Sequence, residues 1–123
     1  MRIVAQRMTG LLGELALAET VAAILHAHRT GAMTPSETVA RSFARIRAHN
    51  DPAIFITLRD EAAAIAEAKA LEAKGDKDLP LYGIPVAIKD NIDVQGLPTT
   101  AACPAFSYQP AKDSTAVARL RKA

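Results

Sequence analysis

The sequence predicts an α/β layer protein whose sheet is incomplete in this chain. Four segments have the apolar spacing or the capping residues of helices, and two short segments are rich in apolar and β-branched residues. Helices come first, and strands then alternate with helices. Because a stable sheet usually needs three or more strands with one face covered, two strands are too few.

The composition is that of an ordinary globular chain. Of the 123 residues, 50% are apolar and 23% are charged, and the formal net charge is +2. Because the basic and acidic residues are well mixed, the clustered basic face of a nucleic-acid-binding protein is not predicted. The single cysteine excludes an internal disulfide framework and a cysteine-based zinc cluster. With 4% aromatic residues and no tryptophan, the predicted core is poorly filled and independent folding is marginal.

The N-terminal residues 1–13 have no clear periodicity and are interpreted as a flexible leader. Basic residues before the stretch 11–17 resemble a secretory signal, but Glu14 and Glu19 interrupt the apolar residues and no clear cleavage pattern follows. No run of 18 apolar residues occurs in the sequence, so a membrane-spanning helix is not predicted. Together with the unpaired thiol, these features predict a cytoplasmic protein.

Two helices are predicted in the first fifty residues. Residues 14–29 place apolar side chains on one helical stripe, and Gly31 ends that helix. The sequence Thr34-Pro35-Ser36-Glu37 has the form of a capping box with proline at the first helical position. It predicts the start of a second helix that ends at about His49.

Two strands and two further helices are predicted after these. The strands are 53–58 and 84–88, and between them 60–74 is a helix with an aspartate cap and a glycine stop. Residues 96–110 are rich in proline, threonine and small residues and are predicted to be mostly loop. Asp113-Ser114-Thr115 starts a last helix that continues to the chain end without a stop signal. A helical pattern without a stop signal, together with too few strands for a sheet, predicts that these residues are part of a larger domain.

The segment 79–104 places a lysine at the end of an apolar strand. Lys89 follows residues 84–88 and precedes a loop of small and hydroxyl residues. Because apolar surroundings disfavour an ammonium ion, such a lysine can become neutral and act as a general base. The alternative is a lysine that extends to solvent and pairs with Asp90 or Asp93, and composition and spacing alone favour this alternative.

Longer motifs surround this lysine. They are Gly83-Ile-Pro-Val-Ala-Ile-Lys89-Asp90-Asn91-Ile-Asp93 and Gly96-Leu-Pro-Thr-Thr100, continued by Ala101-Ala-Cys-Pro-Ala-Phe106 and Asp113-Ser-Thr-Ala-Val-Ala-Arg-Leu120. The first two resemble the N-terminal motif of the amidase signature family, and the continuation is most similar to its allophanate hydrolase branch. The resemblance covers residues 14–123. It implies the N-terminal part of the amidase signature fold, in which helices flank a mixed β-sheet.

The resemblance implies amide hydrolysis by a Ser-Ser-Lys triad. One serine attacks the carbonyl, a second relays its proton to the lysine, and backbone N–H groups of a Gly/Ser-rich segment stabilise the oxyanion. Lys89 is the only triad position in this chain, and the sequence contains no Gly-Gly-Ser-Ser-type segment. Ser36, Ser42, Ser107 and Ser114 lie in other contexts, and none is interpreted as the nucleophile. The chain is therefore expected to be inactive alone.

For the allophanate hydrolase branch, the implied reaction converts allophanate through N-carboxycarbamate to ammonium and carbon dioxide, which ends urea or biuret breakdown. The resemblance implies a small amide or urea-derived substrate, no metal or cofactor, no nucleic-acid or membrane partner, and a homodimer of the full-length protein. Two alternatives stay open. One is a general amidase or an aminoacyl-tRNA amidotransferase A-type subunit, and the other is a non-catalytic interaction protein.

Cysteine and histidine residues are interpreted as structural. Cys103 has no histidine nearby in sequence and is predicted to be a small packed residue. His28 lies in the apolar stripe of the first helix, so a hydrogen-bonded interface residue is favoured over a ligand. Because His26 lies on the opposite face and His49 on an edge, a three-histidine metal site is not predicted.

The remaining charged candidates have local explanations. Asp90 and Asp93 have the chemistry of cation ligands, but two carboxylates are weak evidence, and orientation of Lys89 or a turn hydrogen bond is favoured. The basic end of the chain is attributed to the C-terminal dipole of the last helix rather than to RNA binding. Its residues are Arg119, Arg121 and Lys122.

Overall fold

Helices and long irregular segments make up residues 20–123, the part of the chain that the computed structural model describes. The α-helices are α1 (Val21–Thr30), α2 (Pro35–His49), α3 (Glu61–Lys74) and α4 (Thr115–Lys122), with a short 3₁₀ helix at Pro104–Phe106. The predicted leader 1–13 and the predicted helical residues 14–19 lie outside the described residues.

The α-helices begin at side-chain caps, as predicted for α2, α3 and α4. In each helix the cap accepts a hydrogen bond from the backbone N–H three residues later, and the four caps are Thr20, Thr34, Asp60 and Ser114. Helices α1, α2 and α3 end at residues in the left-handed conformation, which are Gly31, Asn50 and Gly75. The predicted positions of these helices are confirmed, apart from the start of α1 at Val21.

The two predicted strands are not formed among the described residues. Residues 53–58 contain turns and bends, and residues 84–89 have no regular structure. The described residues contain one isolated antiparallel bridge, between Thr99 and Tyr108. Because a strand exists only through hydrogen bonds to a neighbouring strand, an apolar segment without such a partner has no ladder. The mixed sheet is therefore absent from residues 20–123.

The core is small and shared among separate elements. Helices α2 and α3 pack against each other. The buried apolar side chains of the described residues are Leu25, Ala68, Tyr82 and Val117, together with the prolines Pro35 and Pro110. Beside them lies an open groove of about 1210 Å³, formed by α2, α3, α4 and the segments 54–59 and 79–92. The predicted weak core is thus present in residues 20–123, which leave apolar surface open along one side.

Candidate functional site

The segment leading to Lys89 is held in place by a buried histidine. His28 is 2% exposed, with Nδ1 2.9 Å from the Tyr82 carbonyl oxygen and Nε2 2.7 Å from the Thr38 hydroxyl. Because a carbonyl oxygen only accepts, Nδ1 carries a hydrogen, and a neutral ring accepts the Thr38 hydroxyl at Nε2. The prediction that His28 is a hydrogen-bonded interface residue is confirmed. Burial raises the pKa of Tyr82, and the charge of Glu72 raises it further.

Gly83 lets this segment pass directly over the start of α2. Its φ is +70°, and a Cβ there would lie 2.6 Å from side-chain atoms of Pro35 and 3.1 Å from Nδ1 of His28. A larger residue would therefore meet both a strained backbone and a steric clash. From this point residues 84–89 lead along the groove to Lys89.

Lys89 is exposed and lines the apolar groove. Within the described residues its side chain has no hydrogen bond or ion pair. Its extension to solvent agrees with the alternative favoured from spacing, whereas the expected pairing with Asp90 or Asp93 is wrong. Both neighbouring carboxylates are engaged by other groups.

Asp90 binds residues 100–102. Its Oδ2 accepts hydrogen bonds from the Thr100 hydroxyl and, at 3.2 Å, from the Ala102 N–H, while Oδ1 lies 3.4 Å from the Thr100 N. The backbone carbonyl oxygen of Asp90 accepts hydrogen bonds from the N–H groups of Thr100 at 3.2 Å and Ala101 at 3.0 Å. The pKa of the Asp90 carboxyl lies below its ordinary value, mainly because of the hydrogen bond from the Thr100 hydroxyl. Desolvation raises this pKa, and the hydrogen bonds from the N–H groups of Ala102 and Thr100 lower it.

Asp93 joins the same turn to the rest of the loop. Its Oδ1 accepts from the Thr99 hydroxyl at 2.9 Å and the Tyr108 hydroxyl at 2.6 Å, and its carbonyl accepts from the Ser114 N–H at 3.0 Å. The hydrogen bond to Asp93 raises the pKa of Tyr108, with desolvation and the Asp93 charge adding to it. The predicted turn hydrogen bonds of Asp90 and Asp93 are confirmed. Orientation of Lys89 by either residue stays a prediction.

The other candidates do not join Lys89. Cys103 is exposed, which corrects the prediction that it is packed, because the loop around it has no neighbouring layer among the described residues. Ser36, Ser42, Ser107 and Ser114 make no hydrogen bond to Lys89. Among residues 20–123, no group of three His, Cys, Asp or Glu side chains is arranged to hold a metal ion.

The basic end of the chain has partners beyond the helix dipole. Arg119, Arg121 and Lys122 lie in the last turn of α4, as predicted. In addition, Arg121 pairs with Asp113 at 2.8 Å and with Glu67 at 3.5 Å. These ion pairs connect α4 to its own N-terminal loop and to α3.

The partners of the two aspartates are the residues that sequence reasoning missed. Thr100 belonged to a recognised motif, but nothing in its spacing placed it on the Asp90 carboxylate. The signal was indirect: Gly96-Leu-Pro predicts a turn that returns the chain toward residue 90. Tyr108 has no such local signal, since it lies 15 residues from Asp93.

The groove presents amines with proton-transfer chemistry, Lys89 within the motif and Lys74 at the end of α3. As a free amine, Lys89 can accept a proton, and as an ammonium ion it can stabilise an anion. A covalent acyl transfer also requires a nucleophile next to its base. The described residues place no serine or cysteine in hydrogen-bond contact with Lys89. These residues therefore supply one component of an acyl-transfer site.

Comparison with protein families and curated proteins gives consistent matches. A family profile described as "Amidase" matches residues 37–123. The urea amidolyase of Lachancea kluyveri is 56% identical over 77 residues, which is 62% of this chain and 4% of that protein. The A-type subunit of glutamyl-tRNA(Gln) amidotransferase from Streptococcus thermophilus is 49% identical over 69 residues, which is 54% of this chain and 14% of that protein.

Solved structures support the same relationship. The structure of Kluyveromyces lactis allophanate hydrolase matches with a TM-score of 0.66 at 38% identity, covering 85% of this chain and 17% of that chain. The described helices and loops therefore have the arrangement found in one part of that enzyme. The chain spans 4% of the length of the urea amidolyases it matches.

Proposed function

The chain belongs to the amidase family, and on this basis we propose that it forms the lysine-bearing part of an amide-hydrolysing enzyme of the allophanate hydrolase type. The observation that carries the proposal is Lys89, exposed on an apolar groove and not paired with a carboxylate among the described residues. The similarity to urea amidolyase and to allophanate hydrolase supports the choice of substrate class.

In the proposed mechanism Lys89 is the final proton acceptor. Its amine takes a proton through a relay serine from the serine that attacks the amide carbonyl, and later returns it to the leaving nitrogen. Both serines and the N–H groups that stabilise the oxyanion come from sequence beyond these 123 residues. The groove beside Lys89 is the surface against which those parts pack. Residues 14–123 then form one N-terminal portion of the amidase domain, and 1–13 a leader.

The proposal needs no metal or cofactor in this part of the enzyme. Its substrate is a small amide or urea-derived compound, and allophanate hydrolysis places the enzyme in urea or biuret breakdown.

The exposed thiol of Cys103 fits a reducing compartment, and cytoplasmic location is part of the proposal. Neither a nucleic acid nor a membrane is included as a partner. The described residues contain no helix that is long and apolar enough to cross a membrane. A homodimer is proposed for the full-length protein.

A chimeric enzyme tests the role of Lys89. Residues 20–123 replace the matched segment of Kluyveromyces lactis allophanate hydrolase, and ammonium release from allophanate is measured. We expect activity from the chimera and a loss of about 10²–10⁴-fold in kcat with Lys89→Ala, since a proton acceptor contributes roughly that much. The matched control is Lys112→Ala, which removes another exposed lysine and leaves activity unchanged.

Two results contradict the proposal. One is a chimera in which Lys89→Ala retains full activity. The other is hydrolysis of allophanate by the purified 123-residue chain that is unaffected by the same substitution. Either result would place the proton acceptor elsewhere.

A second candidate is the amide-hydrolysing part of a tRNA-dependent amidotransferase, which the similarity to the glutamyl-tRNA(Gln) enzyme supports. The lysine chemistry is the same in both candidates, so these residues do not separate them. Ammonium release by the full-length protein separates them. Release from allophanate supports the first candidate, and release from glutamine without activity on allophanate supports the second.

A further inference from the structure

We propose that Asp90 is a positioning residue that holds residues 100–102 across the turn carrying Lys89, and that this use of its carboxylate leaves the Lys89 ammonium without a neutralising carboxylate among residues 20–123. Its consequence for catalysis rests on the proposed function of Lys89. The hydrogen-bond arrangement itself does not depend on that function.

The geometry carries the first half of the proposal. Side-chain and carbonyl oxygens of Asp90 accept from a hydroxyl and from backbone N–H groups of three consecutive residues, Thr100, Ala101 and Ala102. Ala101 and Ala102 both have positive φ, at 50° and 57°. Because non-glycine residues rarely adopt this conformation, the hydrogen bonds to Asp90 must stabilise it. Without the carboxylate, residues 100–102 would relax to another conformation.

The second half of the proposal concerns the ion pair that the Asp90 carboxylate does not form with Lys89. A lysine and an aspartate adjacent in sequence on an exposed turn commonly form a weak ion pair. Here both carboxylate oxygens of Asp90 already accept hydrogen bonds, and Oδ1 of Asp93 accepts two hydroxyl groups. The Lys89 side chain has no hydrogen bond or ion pair within residues 20–123. The amine is therefore kept available at the groove.

The arrangement is tested by NMR titration of the Asp90 carboxyl carbon in the full 123-residue chain. Removing the hydroxyl with Thr100→Val is expected to raise the pKa of Asp90 by about 0.5–1 pH unit, because a hydrogen bond to a carboxylate favours its charged form. Thr100→Ser restores the hydroxyl and is expected to return the titration to that of the unchanged chain. Thr115→Val is the matched control at an exposed threonine without this contact.

The decisive comparison is Lys89→Met. If Asp90 is held by Thr100 and Ala102, this substitution leaves the Asp90 titration unchanged within about 0.2 pH unit, whereas loss of an ion pair would raise it. A rise with Lys89→Met and none with Thr100→Val overturns the proposal.

A measurement on the unchanged chain covers the case in which Thr100→Val does not fold. The Ala102 N–H donates to Asp90 Oδ2 at 3.2 Å and to the Thr100 hydroxyl oxygen at 3.1 Å, and that hydroxyl is itself held by Asp90. Its hydrogen-exchange protection is expected to fall at least about tenfold as Asp90 becomes protonated, because the carboxylate that holds both groups loses its charge. Protection that is constant through the Asp90 titration contradicts the proposal.

The consequence for catalysis is tested in the active chimera. Asp90→Asn is expected to lower kcat about tenfold with KM within about twofold, because misplaced catalytic groups slow the chemical step. Thr100→Val is expected to act similarly, and Thr100→Ser to restore kcat. A change in KM alone contradicts the positioning role. Since the titration needs no turnover, an inactive chimera would count against the proposed function and leave the Asp90 arrangement to be judged by NMR.

Discussion

Lys89 and Asp90 are adjacent and oppositely charged, yet they serve different neighbours. The short aspartate side chain reaches residues of its own turn and accepts several hydrogen bonds there. The long lysine side chain extends past this turn to the groove. Side-chain length and the number of available acceptors therefore decide which of the two is held and which stays available for chemistry.

Among single residues, Gly83 gives a clear prediction. Gly83→Ala is expected to lower the free energy of unfolding by about 2–4 kcal/mol, because positive φ and a clash with Pro35 act together. Chemical denaturation of the full chain measures the change. Gly96→Ala is the control, since its φ is +87° but no atom lies within 4 Å of the added Cβ. It is expected to cost about 1 kcal/mol. Equal losses at both positions would show that contact with Pro35 has no effect.

Helices and strands differ in how far their local sequence predicts them. Each α-helix forms its hydrogen bonds within one segment, so caps such as Thr34 and Asp60 were sufficient to locate it. The predicted strands 53–58 and 84–88 needed partners from other segments, and the described residues provide none. Among residues 20–123 the prediction of regular structure for these segments is therefore wrong, and their apolar side chains Ile54, Ile56 and Val86 are more than half exposed.

The capping box of α2 predicts an acid-sensitive helix start. Hydrogen bonds from the Thr34 N–H and then from its hydroxyl hold the pKa of Glu37 below its ordinary value. The unfolded chain therefore binds a proton at higher pH than the folded chain. This contribution to stability is present above the ordinary glutamate value of about 4.3 and is lost as pH falls through the lower folded value.

Melting temperatures of the full chain between pH 7 and pH 3 test this. Glu37→Gln is expected to lower the melting temperature at pH 7 and to reduce its acid dependence. Asp78→Asn, which replaces an exposed acid without a side-chain hydrogen bond in the described structure, is the control. An identical acid dependence in the unchanged chain and in Glu37→Gln would exclude the role of the capping box.

Residues 20–123 have more apolar surface than their small core covers. Ile54, Ile56 and Val86 are 53%, 57% and 51% exposed, and all three line the groove. Contiguous apolar surface of this kind usually marks a binding or packing surface. In the proposed enzyme it packs against the rest of the amidase domain.

Fluorescence of the dye ANS tests this exposure of apolar surface. The 123-residue chain is expected to bind the dye, because exposed apolar surface raises its fluorescence. Ile54→Lys with Ile56→Lys is expected to reduce the signal at least about twofold, whereas Ala62→Lys on the exposed face of α3 leaves it unchanged. The chimera with allophanate hydrolase is expected to bind less dye per molecule. Equal fluorescence from the chain and the chimera would contradict the proposed packing.

The helices, their caps and the motif around Lys89 could be identified from the sequence alone, because these features depend on contacts within a few residues. The interface position of His28 could be predicted from the apolar stripe of α1, although its partners Thr38 and Tyr82 are 10 and 54 residues away. The tertiary structure was needed to show that the neighbouring aspartates bond to Thr100 and Tyr108 rather than to Lys89. Those partners are 10 and 15 residues away, and which residues meet across a loop depends on how the whole chain turns.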